Sequence, residues 1–201
     1  MWSLLSRNVR TIIVLTLGFL VTAVASLAME LVTGEGKPAW QLVSLAAAAI
    51  STVVIPAMEA AWPTVWRYIP LLNAKVFPDL NGTWEGKVYP TAHDERVVSV
   101  RIRQTLFDVF VSMKSAEAES KSVRASFEID RSAHKARIWY AYEARPNPEL
   151  LPANPRHDGM ACLEVDLDGP YTELSGRYFT ERGTLGKIAL SRAPTRVSAG
   201  G

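Results

Sequence analysis

One cysteine, Cys162, in 201 residues excludes an internal disulfide and suits a reducing compartment. The three histidines, His93, His134 and His157, fall on separate turns or strand starts, too few and too scattered for a zinc site. The sequence contains no glycine-rich phosphate loop leading into a helix, no nucleophile elbow and no metal-binding helix pair. Ser120 in the polar stretch Glu117 to Ser122 reads as part of a turn, and Asp94-Glu95 reads as a hairpin turn rather than a carboxylate pair. The chain therefore has no catalytic constellation, and binding rather than turnover is expected, without metal or cofactor. An excess of one charge is missing too. Twenty-two basic residues against 20 acidic ones give a net charge of +2, too balanced for DNA or RNA as a partner.

Long apolar runs are absent beyond residue 58, which makes the two before it stand out. Thr11 to Met29 is free of charge for nineteen residues, and Pro38 to Met58 for twenty-one. A bilayer core of about 30 Å needs roughly 20 helical residues, so two membrane spans are expected, at about 11–32 and 38–58, within a hairpin unit at 1–68. Ala23-Val24-Ala25 resembles a signal-peptide cleavage site, but the apolar stretch runs on past it to Val32. Arg7 and Arg10 precede the first span, and Arg67 and Lys75 follow the second, while the connecting loop sets Glu35 against Lys37. The positive-inside rule then puts both the N-terminus and everything after the hairpin in the cytoplasm, with the lipid bilayer as a partner. Trp62, Trp66 and Tyr68 read as an interfacial aromatic belt. Ser44, Ala48 and Thr52, and Ala47 with Ser51, recur at a four-residue spacing. Such small-residue faces pack the two helices of one hairpin together or meet neighbouring chains.

After a linker at 69–79 the periodicity changes from helical to alternating. Eight strands are expected within 80–192, at 83–90, 96–104, 106–113, 122–130, 135–143, 158–167, 173–181 and 184–192, with a flexible tail at 193–201. Short connections and no intervening helix point to a membrane-anchored all-β protein, a small eight-stranded antiparallel β-barrel behind two transmembrane helices. Closure removes exposed sheet edges, although a partly open sandwich has the same pattern. Alternation turns Trp84, Val98, Val100, Ile102, Val123, Phe127, Tyr140, Leu163 and Leu174 inward, and Gly86, Gly176 and Gly186 leave room inside.

The rim where strand one begins faces the membrane. Gln104, near it, caps the core. The opposite rim collects Tyr142, Arg145, His157, Thr180, Arg182, Ser120 and Ser122, with Tyr178 on the same inward face, beneath the Pro-rich loop from Ala144 to His157. Aromatics beside arginines and hydroxyls at a barrel mouth suit a planar base linked to a phosphate. A membrane-tethered lipocalin-like carrier of an apolar molecule, or a non-catalytic anchor for another protein, are the competing uses of such a barrel.

Two N-terminal spans followed by Leu80-Asn81-Gly82-Thr83-Trp84-Glu85-Gly86, then Ile102-Arg103-Gln104-Thr105, Tyr140-Ala141-Tyr142, His157-Asp158-Gly159 and Leu174-Ser175-Gly176-Arg177-Tyr178-Phe179-Thr180 with Arg182, resemble a known family. It is the SMODS-associating two-transmembrane, β-strand-rich effector family of the bacterial CBASS antiphage systems. The resemblance implies a barrel that binds a cyclic dinucleotide or oligonucleotide second messenger made by a partner CD-NTase-type nucleotidyltransferase. It further implies homo-oligomerisation on activation and disruption of the bacterial inner membrane. Tyr142, His157, Thr180 and Arg182 fall on its recurring Tyr-x-Tyr, His-x-Gly and Tyr-x-Thr-x-Arg positions.

Overall fold

The computed structural model describes residues 2–5, 7–33, 39–68, 77–91, 94–150 and 155–194. Helix α1 (Arg7–Thr33) runs through the first apolar stretch. The second is helical from α2 (Ala39–Ala49) through a π-helical segment (Ile50–Val54) into α3 (Ile55–Tyr68). The π segment has a local cause. Pro56 has no N–H for the Thr52 carbonyl and its ring crowds that oxygen, so the register widens just before it, and the Ile55 N–H bonds to Ile50 O, five residues back. Length and composition make Arg7–Val32 and Gln41–Trp66 each able to cross a bilayer. The second helix continues well beyond Met58, and its described part runs to Tyr68.

That extension changes the role of the tryptophans. Trp66 is buried and Trp62 packs beside it, both against the base of the β-domain, so they hold the helix end to the barrel rather than forming a lipid belt; Tyr68 remains exposed. The small-residue face also turns away from the hairpin. Ser44, Ala48, Ser51 and Thr52 are exposed, the hydroxyls of Ser44, Ser51 and Thr52 returning to carbonyls of their own helix, while Ala46 is buried.

Eight strands follow: β1 (Gly82–Tyr89), β2 (Arg96–Gln104), β3 (Val109–Ser115), β4 (Ala118–Asp130), β5 (Lys135–Pro146), β6 (His157–Asp166), β7 (Glu173–Thr180) and β8 (Leu185–Arg192). Each pairs antiparallel with the next, and β8 returns to β1, closing the barrel. Sequence alternation located the strands within a few residues. Leu106 is buried but belongs to the turn in which Thr105 N–H donates to Asp108 O, so β3 starts later than expected. The linker residues 69–76, part of the Pro-rich loop (151–154) and the tail from 195 lie outside the described residues.

Two expectations about the interior are corrected. The register between β4 and β5 shifts between Ser122 and Arg124. This bulge flips the parity of β4, so Ser120 points inward on one side of it, Phe127 on the other, and Val123 is turned out to 75% exposure. The glycines do not open the barrel. A Cβ on Gly86 or Gly176 would collide with backbone of the neighbouring strand, at Ala189 O and Cys162 O, so these positions draw strands close together.

The end of the barrel at which β1 begins is plugged. Trp84 lies in the core with its indole N–H donating to Leu80 O at 2.9 Å, and Arg192 stacks over it at 4.7 Å from the ring centroid. The Arg192 guanidinium donates to Asn81 O at 3.1 Å and Asp79 O at 2.5 Å. Gln104 caps this end as expected: its Oε1 accepts from Leu80 N–H at 2.6 Å and its Nε2 donates to Pro78 O at 3.2 Å. Phe77 stacks edge-on against Phe127 at 4.6 Å, with Trp66 below.

Candidate ligand-binding site

With one end sealed, the interior opens only at the far rim among the described residues. The cavity there has a volume of about 630 Å³, within the range of small-molecule sites. Val88, Val98, Met113, Ala161 and Ile188 form an apolar floor, above which stand Tyr140, Tyr142 and Tyr178. The polar rim includes Arg96, Ser120, His157, Thr180, Arg182 and Thr184, together with Glu117 and Glu119.

Local sequence dictates how the tyrosines lie. Tyr142 is the ladder partner of Gly159, and Tyr178 that of Gly186. A Cβ on Gly159 would come within 2.5 Å of the Tyr142 ring, and one on Gly186 would collide with the Tyr178 ring. Each glycine therefore leaves bare backbone over which a phenol ring leans. Burial pushes the Tyr142 hydroxyl up to about 12 and raises those of Tyr140 and Tyr178. All three stay protonated near neutrality and can donate hydrogen bonds.

At the rim, the Arg182 guanidinium donates to Pro155 O and sits against His157 Nδ1. Also at the mouth, Arg96 bridges Glu117 at 2.5 Å and Asp94 at 3.2 Å. Arg182 and Arg96, the latter held by two carboxylates, thus stand at the edge of an aromatic-walled, apolar-floored chamber. Such a chamber can hold planar rings inside and anionic groups at its edge.

The fold brings Tyr142, His157, Thr180, Arg182 and Tyr178 to this cavity. It does not bring Arg145, which faces outward and forms a two-pronged pair with Glu143, Nε to Oε1 at 2.9 Å and Nη2 to Oε2 at 3.1 Å. Strand alternation explains the miss, since the even positions of β5 point inward. Ser122 is also outside the cavity lining. Its hydroxyl accepts the Val111 N–H at 3.0 Å and bridges β3 and β4 at the bulge. Arg96 was passed over, although it shares the inward parity of Val98 and Val100; Tyr140 and Thr184 line the cavity as well.

This geometry coincides with a family match. Residues 75–192, the whole barrel with its lead-in, match the family of the Cap15 cyclic dinucleotide receptor domain. The chain belongs to that family. Its barrel is thereby a Cap15-type cyclic dinucleotide receptor domain, and the helical hairpin precedes the matched region. It is also 28% identical over 129 residues to CD-NTase-associated protein 15 of Staphylococcus schleiferi, a match covering 63% of this chain and 66% of that protein. The chain thus spans just under two thirds of that relative's length.

Proposed function

We propose that the barrel mouth binds a cyclic dinucleotide on the cytoplasmic side of the bacterial inner membrane. Binding then drives the hairpins of several copies together and breaches the bilayer, killing the infected cell. The nucleotide is supplied by a partner CD-NTase-type nucleotidyltransferase, and the chain itself acts as a non-catalytic receptor. The observation that carries this reading is the chamber of about 630 Å³ with three tyrosines in its wall and Arg96 and Arg182 at its edge. The bases stack on Tyr142 and Tyr178, and the phosphates meet Arg182 and Arg96 through charge-assisted hydrogen bonds.

For the nucleotide to act as a trigger, it must bind the assembled state more tightly than the dispersed one, because equal affinity shifts nothing. Hairpins confined to a plane already have a high effective concentration, which lowers the coupling needed. The test is dye release from liposomes carrying the full chain. Release should follow addition of a cyclic dinucleotide and disappear in Arg182→Ala and Tyr142→Ala variants that keep the β-rich circular dichroism spectrum. Release that ignores both substitutions overturns the site.

A further inference from the structure

Four charged side chains line the mouth among the described residues, Arg96 and Arg182 against Glu117 and Glu119, so their formal charges cancel. Their partners outside the lining cancel as well. Asp94 takes a second arm of Arg96 at 3.2 Å, and Lys114 meets Glu119 at 2.8 Å. The hydrogen bond from Lys114 holds the Glu119 carboxyl below the usual carboxylate range, so it is ionised near neutrality. A cleft that gathers polyanions carries an excess of one sign of charge. This one does not.

Glu117 is fixed in place to produce that balance. It sits in the turn between β3 and β4, where its N–H donates to Ser115 Oγ at 3.2 Å. Its carbonyl accepts the Asn147 N–H at 2.9 Å, and Asn147 Nδ2 donates to Ala116 O at 2.7 Å, tying the turn to the end of β5. From this anchored backbone the Glu117 carboxylate reaches Arg96 Nη1 at 2.5 Å. Arg96 presents more N–H donors than its two carboxylate contacts engage. It can therefore still bond a phosphate oxygen, but its charge is already offset.

Deeper in the chamber the polar groups are neutral, the phenols of Tyr140, Tyr142 and Tyr178 and the hydroxyl of Ser120. Buried rings and neutral hydrogen bonds gain nothing from extra phosphates on a ligand, so charge is read at the mouth alone. A cyclic dinucleotide carries about one charge per base, whereas ATP carries about four on a single base, since a terminal phosphate loses its second proton near pH 6. Stacking walls and arginines without a counterweight would admit both.

We infer that Glu117 is a specificity-determining residue, which offsets Arg96 so that the mouth accepts ligands rich in rings and poor in charge and turns away nucleoside triphosphates. This deepens the receptor reading proposed above and rests on it for the identity of the accepted ligand.

Glu117→Gln removes the charge and keeps the shape and the backbone bonds of the turn. Glu143→Gln removes a carboxylate from the outer face, where it pairs with Arg145, and serves as the control. Both positions belong to partly exposed ion pairs, so the fold survives either change. The full chain in detergent is titrated calorimetrically with AMP, ADP, ATP and cyclic di-AMP, which share one base. Wild-type affinity should not rise from AMP to ATP. In Glu117→Gln it should climb with each phosphate, ATP gaining about tenfold where cyclic di-AMP gains about threefold, because the freed charge acts on each ligand in proportion to that ligand's own charge. Glu143→Gln should match the wild type. A wild-type series that already climbs toward ATP, a Glu117→Gln series parallel to it, or equal gains in Glu143→Gln overturns the inference. If cyclic di-AMP binds no chain while the climb toward ATP appears in Glu117→Gln alone, the filter stands without support for the receptor reading, so the two fail separately.

Discussion

Tyr142 on β5 leans over the bare backbone of Gly159, its ladder partner on β6. Tyr178 and Gly186 repeat the arrangement on β7 and β8. These two pairs build the aromatic wall of the mouth, and each ring position depends on the missing side chain beside it.

Gly186→Ala is the cleaner probe of that dependence. The added methyl's three nearest contacts all lie on the Tyr178 ring, whereas one at Gly159 also meets the Phe179 carbonyl at 2.6 Å. Gly186→Ala is expected to displace the Tyr178 ring and weaken nucleotide binding while the melting temperature changes little. Gly159→Ala is expected to lower both, since crowding against backbone costs about 1–3 kcal/mol. Calorimetric titration alongside thermal melts separates the two effects.

Removal of the Arg182 guanidinium should weaken nucleotide binding about 10- to 100-fold, the equivalent of a charge-assisted hydrogen bond of about 1.5–3 kcal/mol. Arg145→Ala should leave binding unchanged, because that side chain is spent on Glu143 on the outer face. Equal losses in the two variants would indicate general charge attraction rather than a defined phosphate contact.

The plug yields a stability prediction. Gln104→Leu leaves the Leu80 N–H and the Pro78 carbonyl without their partner. Each orphaned buried group costs about 1–3 kcal/mol, so the barrel's melting temperature should fall clearly. Replacement of the exposed Ser99 by Ala, on the same strand but facing outward, should not change it.

Alkaline pH should destabilise the barrel through its tyrosines. The Tyr142 hydroxyl titrates at about 12 when folded against 10 when free, and Tyr140 is raised further by burial. Above pH 10 the unfolded chain releases these protons while the folded one holds them, so stability falls as pH rises toward 12 and is unaffected below 10. Thermal melts between pH 9 and 11 should show this slope, and Tyr142→Phe should flatten it.

Much of this architecture was legible in the sequence because two strong periodic signals dominate it. Charge-free runs of bilayer length marked the helices, and period-two alternation marked all eight strands. Alternation also carried Tyr142, Tyr178 and Thr180 to the correct face. What it could not register is a change of phase. The bulge at Val123 inverts inside and outside along β4 without any glycine or proline to announce it, which is why Val123 was expected inside. Arg145 failed for a related reason, because nearness to the rim says nothing about which face a residue takes. The docking of Trp62 and Trp66 on the barrel base was hidden too, since a tryptophan after an apolar run has the same sequence signature whether it meets lipid or protein.

The most direct test of the receptor reading is calorimetric titration of cyclic dinucleotides into the full chain in detergent. One nucleotide should bind in each barrel, with affinity lost in both Tyr142→Ala and Arg182→Ala. Absence of binding by every cyclic dinucleotide, or binding that survives both substitutions, would contradict it.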